Sequence, residues 1–211
     1  MITKEASAEA NTVDKLPEDI KEWVLDKYRY FNVDGFDWWD CVYDDWKEKL
    51  QEFGFMEAEI YFSGFGSQGD GACFDCNHID IRKFASHHKE NFIKLFFPNI
   101  NKHLDAIENC VDFRIERNSY ANHYSHKNTR YVDWQIHTDV DEELGERLAA
   151  TFEEKIKEIS GLIDEVRAGL SEKIYKSLWD EYDYLTSDEA VIEALNSNDY
   201  KFDEEGERYD P

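Results

Sequence analysis

Cations are scarce in this chain and long apolar runs are missing, and each shortage removes a class of function. Lysine and arginine number 24 against 48 aspartates and glutamates, a formal net charge of −24 over 211 residues. Direct binding to nucleic acid depends on neutralising phosphates with Lys and Arg, so a field of this sign repels a duplex. No stretch of about 18 apolar residues exists to cross a membrane, and no basic-then-apolar leader opens the chain. The expected location is therefore cytoplasmic. Four cysteines, Cys41, Cys73, Cys76 and Cys110, without an export signal read as free thiols rather than a disulfide framework.

What is abundant is aromatic: 15% of the residues are Phe, Trp or Tyr, which supplies the burial a compact fold needs and argues against disorder. A chain of this length buries one sizeable core. The charge is uneven. Residues 1–62 carry −9, residues 63–138 are neutral and hold all seven histidines, and residues 139–211 carry −15. The expected organisation is a disordered N-terminus (1–16), an α+β core with a glycine-rich hairpin (17–138) and an acidic helical C-terminal segment (139–211).

Periodicity fills in that frame. Pro17 ahead of Glu18 and Asp19 marks a helix start, with Ile20, Trp23, Val24 and Tyr28 on the apolar side of a helix over 18–31. Phe36, Trp39, Tyr43, Trp46, Leu50 and Phe53 recur at three and four residues, one stripe of a helix that Gly54 ends. Asp37, Asp40, Asp44, Asp45 and Glu48 fall off that stripe and are expected to face water. Strands are predicted at 57–64 and 71–81, then a helical stretch from Lys83 to Phe97 broken at Pro98, and a short helix to Asn109. Alternation at 110–119 and 129–138 predicts a second hairpin around 121–128. The expected sheet is small and antiparallel, of about four strands.

Residues 141–184 then hold one apolar repeat, from Leu144 through Ile156, Ile163 and Leu170 to Tyr182. Uninterrupted, that helix would run about 66 Å, against a diameter of about 43 Å for a compact body of this length. A bend at Ser160-Gly161 or Gly169, or an overhang covered by a second copy in a homodimer, follows as the expectation. Thr186 or Ser187 caps one more helix to Asn196, and the tail from Asp199 is expected to add an edge strand or to lie over the helices.

Four of the ten glycines fall in Ser63-Gly64-Phe65-Gly66-Ser67-Gln68-Gly69-Asp70-Gly71. Gly64, Gly66 and Gly69 match a dinucleotide fingerprint, but that motif demands a helix next, and the following residues alternate as a strand. A kinase-type loop does lie between strands, with Lys83 downstream, yet no His-Arg-Asp or Asp-Phe-Gly set follows. The favoured reading is a tight hairpin in which Ser67, Gln68 and Asp70 bond to the loop backbone. Cys73, Cys76 and His78, with His87 and His88 nearby, are zinc-type donors. Successive strand positions send Cys73 and Cys76 to opposite faces, however, so no metal and no cofactor is expected. His123, Tyr124, Ser125 and His126 supply base and nucleophile types without an orienting carboxylate in view, and His137 reads as a partly buried structural histidine.

The phrase Ile60-Tyr-Phe-Ser-Gly-Phe-Gly-Ser-Gln-Gly-Asp-Gly-Ala72, with Asn32-Val33-Asp34, Trp38-Trp39 and Tyr184 to Ala190, resembles a group of bacteriophage and mobile-element proteins labelled antitoxin of a toxin–antitoxin stability system. That resemblance implies a bacterial host and supplies no catalytic residues. Joined to the charge, it leads to a non-enzymatic reading. Acids at Asp141, Glu142, Glu143, Glu153, Glu154, Asp164, Glu165, Asp180, Glu181 and Asp183 would imitate phosphates and engage a basic, nucleic-acid-handling host protein, inhibiting it. An antitoxin that neutralises a toxin, and an enzyme or nucleotide-binding protein built on the glycine loop, are the alternatives.

Overall fold

The computed structural model describes residues 11–35, 37–120, 124–137 and 142–209, with the side chains of 142–152 outside that description. In chain order the elements are α1 (Glu18–Lys27), α2 (Asp40–Glu52), β1 (Phe55–Met56), β2 (Glu59–Phe62), β3 (Ala72–Asp75), β4 (His78–Ile79), α3 (Ile81–His87), α4 (Lys89–Phe96), α5 (Ile100–Cys110), β5 (Val111–Arg117), β6 (Arg130–Ile136), α6 (Glu142–Leu185) and α7 (Asp188–Ser197). The class is α+β. No helix among the described residues is long and apolar enough to cross a membrane. Contacts divide the chain into two compact units, one of Met1–Asp40 with Leu178–Pro211 and the other of Cys41–Ser177.

In the larger unit the strands form three antiparallel pairs, β1 with β4, β2 with β3, and β5 with β6, where one sheet of about four strands was expected. The reason is local. Glu57, with a left-handed φ of 51°, separates β2 from β1, a two-residue strand that precedes the predicted 57–64 strand, and Asn77 separates β3 from β4 within the predicted 71–81 strand. A bridge from Cys76 to Ile115, with both N–H···O bonds made, links β3's end to β5. The β5–β6 pairing runs in register from Val111 opposite Ile136 to Arg117 opposite Arg130, as the alternation predicts, and buries Val111, Phe113 and Ile115 on one face. Residues 121–123 of the hairpin connection lie outside the described residues.

The helices follow their stripes with some changes of boundary. Within α2, Trp46 and Leu50 are buried while Asp40, Asp44, Asp45 and Glu48 are exposed; Val42 joins the core and Phe36 lies outside the described residues. The stretch expected to be one helix from Lys83 divides at His88, whose φ of −121° leaves the helical region. Asp80 starts α3 by accepting from the amides of Arg82 and Lys83 at 3.1 and 2.9 Å, a capping signal that the apolar spacing did not carry. Phe55 packs edge-on against Phe74 and Phe84, with ring centroids 5.2 and 6.0 Å apart, and Phe84 continues to Phe92. Each such fully buried ring contributes roughly 1.5–3 kcal/mol.

No break occurs in α6 at Ser160-Gly161 or at Gly169. The helix is continuous from Glu142 to Leu185, with Ile156, Ile159, Ile163, Leu170, Ile174 and Leu178 all buried. Glycine costs a helix interior about 1 kcal/mol relative to alanine, and that side-chain burial exceeds it several-fold.

The smaller unit has its own core of Val13, Leu16, Val24, Leu25, Val191, Leu195 and Phe202. Val13 and Leu16 of this core come from the segment 1–16 that was expected to be disordered: Val13 is fully buried, and Asn11 exchanges two backbone bonds with Phe202 of the tail. In α1 Leu25 is buried and Trp23 is exposed, reversing the predicted stripe at those positions. Asn32 donates from Nδ2 to the carbonyls of Leu185 and Ala190 at 2.9 and 3.3 Å, and Arg29 pairs with Asp188 and donates to the Thr186 carbonyl. The Asn32 segment and the Tyr184–Ala190 segment, far apart in sequence, thus hold one another. Ser187 caps α7 through the Ala190 amide.

Candidate functional site

Two stretches that drew separate attention in the sequence meet in the larger unit. The loop 63–71 joins β2 to β3, whose register runs from Glu59 opposite Asp75 to Phe62 opposite Ala72. It closes on itself: the Ser63 amide donates to the Gly71 carbonyl at 3.2 Å, the Asp70 amide to the Ser67 carbonyl at 3.1 Å, and the Ser67 amide to Asp70 Oδ2 at 2.6 Å. Ser67 and Asp70 act as expected, whereas Gln68 is exposed and makes no such bond among the described residues. Gly64 and Gly66 take φ of 104° and 93°, conformations that side chains disfavour.

Gly69 and Gly71 have a different duty. A Cβ on Gly69 would fall 2.6 Å from the Tyr124 ring, and one on Gly71 would fall 3.0 Å from the Ser125 carbonyl oxygen. The glycines therefore let the loop lie directly on 124–126, where the Ser125 amide donates to Ser63 Oγ at 3.3 Å. Strand β3 follows the loop, where a dinucleotide site requires a helix N-terminus. Lys83 is elsewhere, its ammonium 3.8 Å from the sulfur of Met56.

The 124–129 segment is held from its other end. A 3-10 turn at Lys127–Thr129 is capped by His126, whose Nδ1 accepts from the Asn128 amide at 3.2 Å, while Thr129 Oγ1 accepts from the His126 amide. With Nδ1 accepting, the neutral ring carries its proton on Nε2. Buried Arg167 of α6 donates to the Lys127 carbonyl and to Asp164 Oδ1, and Lys127 pairs with Glu172. Below the turn, Arg130 buries its side chain completely, pairing with Asp75 and lying 5.1 Å from the Tyr61 ring centre.

Between the loop, the turn and α6 lies a cavity of about 230 Å³ lined by Asp70, Gly71, His126, Lys127, Glu172 and Tyr175 among others. Tyr175 stands beside Phe65 and Phe62, ring centroids 5.5 and 6.4 Å away. Burial, then the Asp70 charge, raises the Tyr175 hydroxyl above its ordinary range. The hydrogen bond and charge of Lys127 hold Glu172 below the usual carboxylate value. His126 was singled out from sequence, but Glu172 and Tyr175 were not; both sit on α6 among many similar residues, and only the folded chain brings them to the loop.

Other candidates stay apart. Cys73 and Cys76 are buried; the single Cys76 S–H is shared between the carbonyl oxygens of His78 and Met56, 2.8 and 3.2 Å from Sγ, and burial pushes its thiol up to about 11. His78 is exposed, and among the described residues no three His, Cys, Asp or Glu side chains group as metal ligands. His137 bonds to Asp112, and His123 lies outside the described residues.

The predicted acidic row resolves into different environments. Asp141 and the side chains of Glu142 and Glu143 lie outside the described residues. Glu153 pairs with Lys157 and Asp164 with Arg167, which turns both toward their own helix. Glu154 and Glu165 are exposed, as are Asp180 and Asp183, whereas Glu181 is half-buried. Glu158 and Glu172, not among the predicted acids, are exposed as well. At intervals of four, seven and seven residues, Glu154, Glu158, Glu165 and Glu172 follow the side of α6 opposite Ile156, Ile159, Ile163 and Leu170 over about 27 Å.

No curated protein and no solved structure matches the chain. One family model does, over residues 38–188, a span that includes the glycine loop, the 124–129 turn and all of α6. The chain therefore belongs to the family described as Domain of unknown function (DUF8835).

Proposed function

We propose that this is a non-enzymatic binding protein whose anionic helical face engages a basic, nucleic-acid-handling protein and inhibits it. The observation that carries the reading is the exposed row Glu154, Glu158 and Glu165 on one side of α6, continued at Glu172, which Lys127 pairs. Like charges aligned along one helix face complement a groove built to hold a phosphate backbone, and the net charge of −24 accelerates encounter with such a surface. The resemblance of residues 60–72 to mobile-element proteins points to a host protein as the target. The burial of Cys73 and Cys76, with both thiols raised in pKa, supports a role other than thiol catalysis, since the thiolate is the reactive form.

Affinity capture from bacterial lysate at low salt, with wild type beside a Glu154→Gln/Glu158→Gln/Glu165→Gln variant, tests it. The expected result is a nucleic-acid-binding protein retained by wild type and released by the variant or by added salt. Equal retention by both proteins would overturn the reading.

A further inference from the structure

The cavity beside Glu172 has features that the charged row does not explain. Its lining carries two carboxylates, Asp70 and Glu172, against one ammonium, Lys127, which is already paired with Glu172. Asp70 uses Oδ2 for the Ser67 amide, and Oδ1 has no partner among the described residues. One wall is the Tyr175 ring, backed by Phe65 and Phe62. At about 230 Å³ the space is below the roughly 300–1,000 Å³ of sites for drug-sized ligands. A nucleotide is disfavoured by size and by charge together.

We infer that this cavity receives an arginine side chain of the partner, its guanidinium stacked on Tyr175 and bonded to Asp70. A carboxylate next to an aromatic face is the complement of a planar cation, because the guanidinium donates in its plane while its face meets the ring. A lysine ammonium satisfies the charge but not the stacking. Gly69 and Gly71 contribute indirectly, since close approach of 63–71 to 124–126 forms the wall that carries Asp70. Lys127 limits the site: its ammonium occupies Glu172 and opposes the incoming cation, leaving Asp70 as the principal acceptor. The inference rests on the reading of a cationic partner and specifies which side chain of that partner is bound.

The probe is a Gly-Arg-Gly peptide, capped at both ends, with its citrulline and lysine counterparts, followed by NMR of the Tyr175 and His126 rings in the full chain. Saturable shifts are expected with arginine, weaker ones with lysine and none with citrulline. Asp70→Asn keeps an acceptor for the Ser67 amide, so the fold is expected to survive, yet binding should fall about tenfold with loss of the charged partner. Tyr175→Ala should lower it similarly, and Lys127→Met should tighten it several-fold. Citrulline binding as well as arginine, or indifference to Asp70→Asn, overturns the inference. A polybasic peptide titrated in parallel separates the two ideas. Loss of its binding in the Glu154, Glu158 and Glu165 variant, with Asp70→Asn unaffected, removes the cavity alone. The reverse pattern removes the charged row and leaves the cavity.

Discussion

The loop 63–71 and the helix α6 use glycine in opposite ways. At Gly69 and Gly71 the missing side chain is a requirement, since a Cβ would fall 2.6 Å from the Tyr124 ring or 3.0 Å from the Ser125 carbonyl oxygen. At Gly161 and Gly169 an added Cβ would meet nothing within 4 Å. The loop depends on what glycine allows; the helix merely tolerates glycine because its apolar stripe holds it in place. Glycine marks a necessary conformation only where the chain around it leaves no alternative.

The comparison can be broken at its strongest point first. If the stripe holds α6, Ile159→Ala, at a fully buried position, should cost about 2–5 kcal/mol in denaturant unfolding; a loss below about 1 kcal/mol would mean that the helix stands on its own propensity. Gly69→Ala should follow at about 1–3 kcal/mol, from its φ of 95° and the contact with Tyr124. Part of that loss should return in the Gly69→Ala/Tyr124→Ala double variant, which removes the collision and keeps the backbone strain; no recovery would show that the loops do not touch there. Gly161→Ala should act in the other direction, stabilising by up to about 1 kcal/mol. The smallest effect concerns protons. Tyr175 is raised by burial and by Asp70, so the folded state favours the neutral phenol. Stability from this group is complete below the ordinary tyrosine value of 10.0 and is lost as pH rises through the folded value. Asp70→Asn should lower the Tyr175 titration midpoint seen by ring NMR, and an unchanged midpoint would place the two groups apart.

Much of the fold was legible because it follows from spacing. The β5–β6 alternation, the apolar stripes of α2 and α6 and the Ser187 cap each report on neighbours a few residues away, and periodicity is a local property. Strand partition was less accessible: what reads as one strand over 71–81 parts at Asn77 into β3 and β4, and left-handed Glu57 sets the two-residue β1 apart from β2, a backbone angle that nothing in its side chain announces. The burial of Val13 and Leu16 was hidden for another reason. Val13 and Leu16 have no periodic context of their own and are buried by α7 and Phe202, nearly two hundred residues away.

The candidate site divides in the same manner. Glycine density singled out 63–71, and histidine density singled out the segment containing His126, each from its own composition. That the two stretches form adjoining walls, that Glu172 and Tyr175 complete them, and that Glu153 and Asp164 turn aside to pair with Lys157 and Arg167 are long-range or rotameric outcomes. Sequence alone determined where the apolar stripes and the β5–β6 alternation run, where the negative charge is concentrated and which loop is dense in glycine, because those depend on neighbouring residues and on composition. Only the tertiary structure decided which acids face water and which side chains share a cavity, because both depend on the packing of chain segments that local spacing does not bring together.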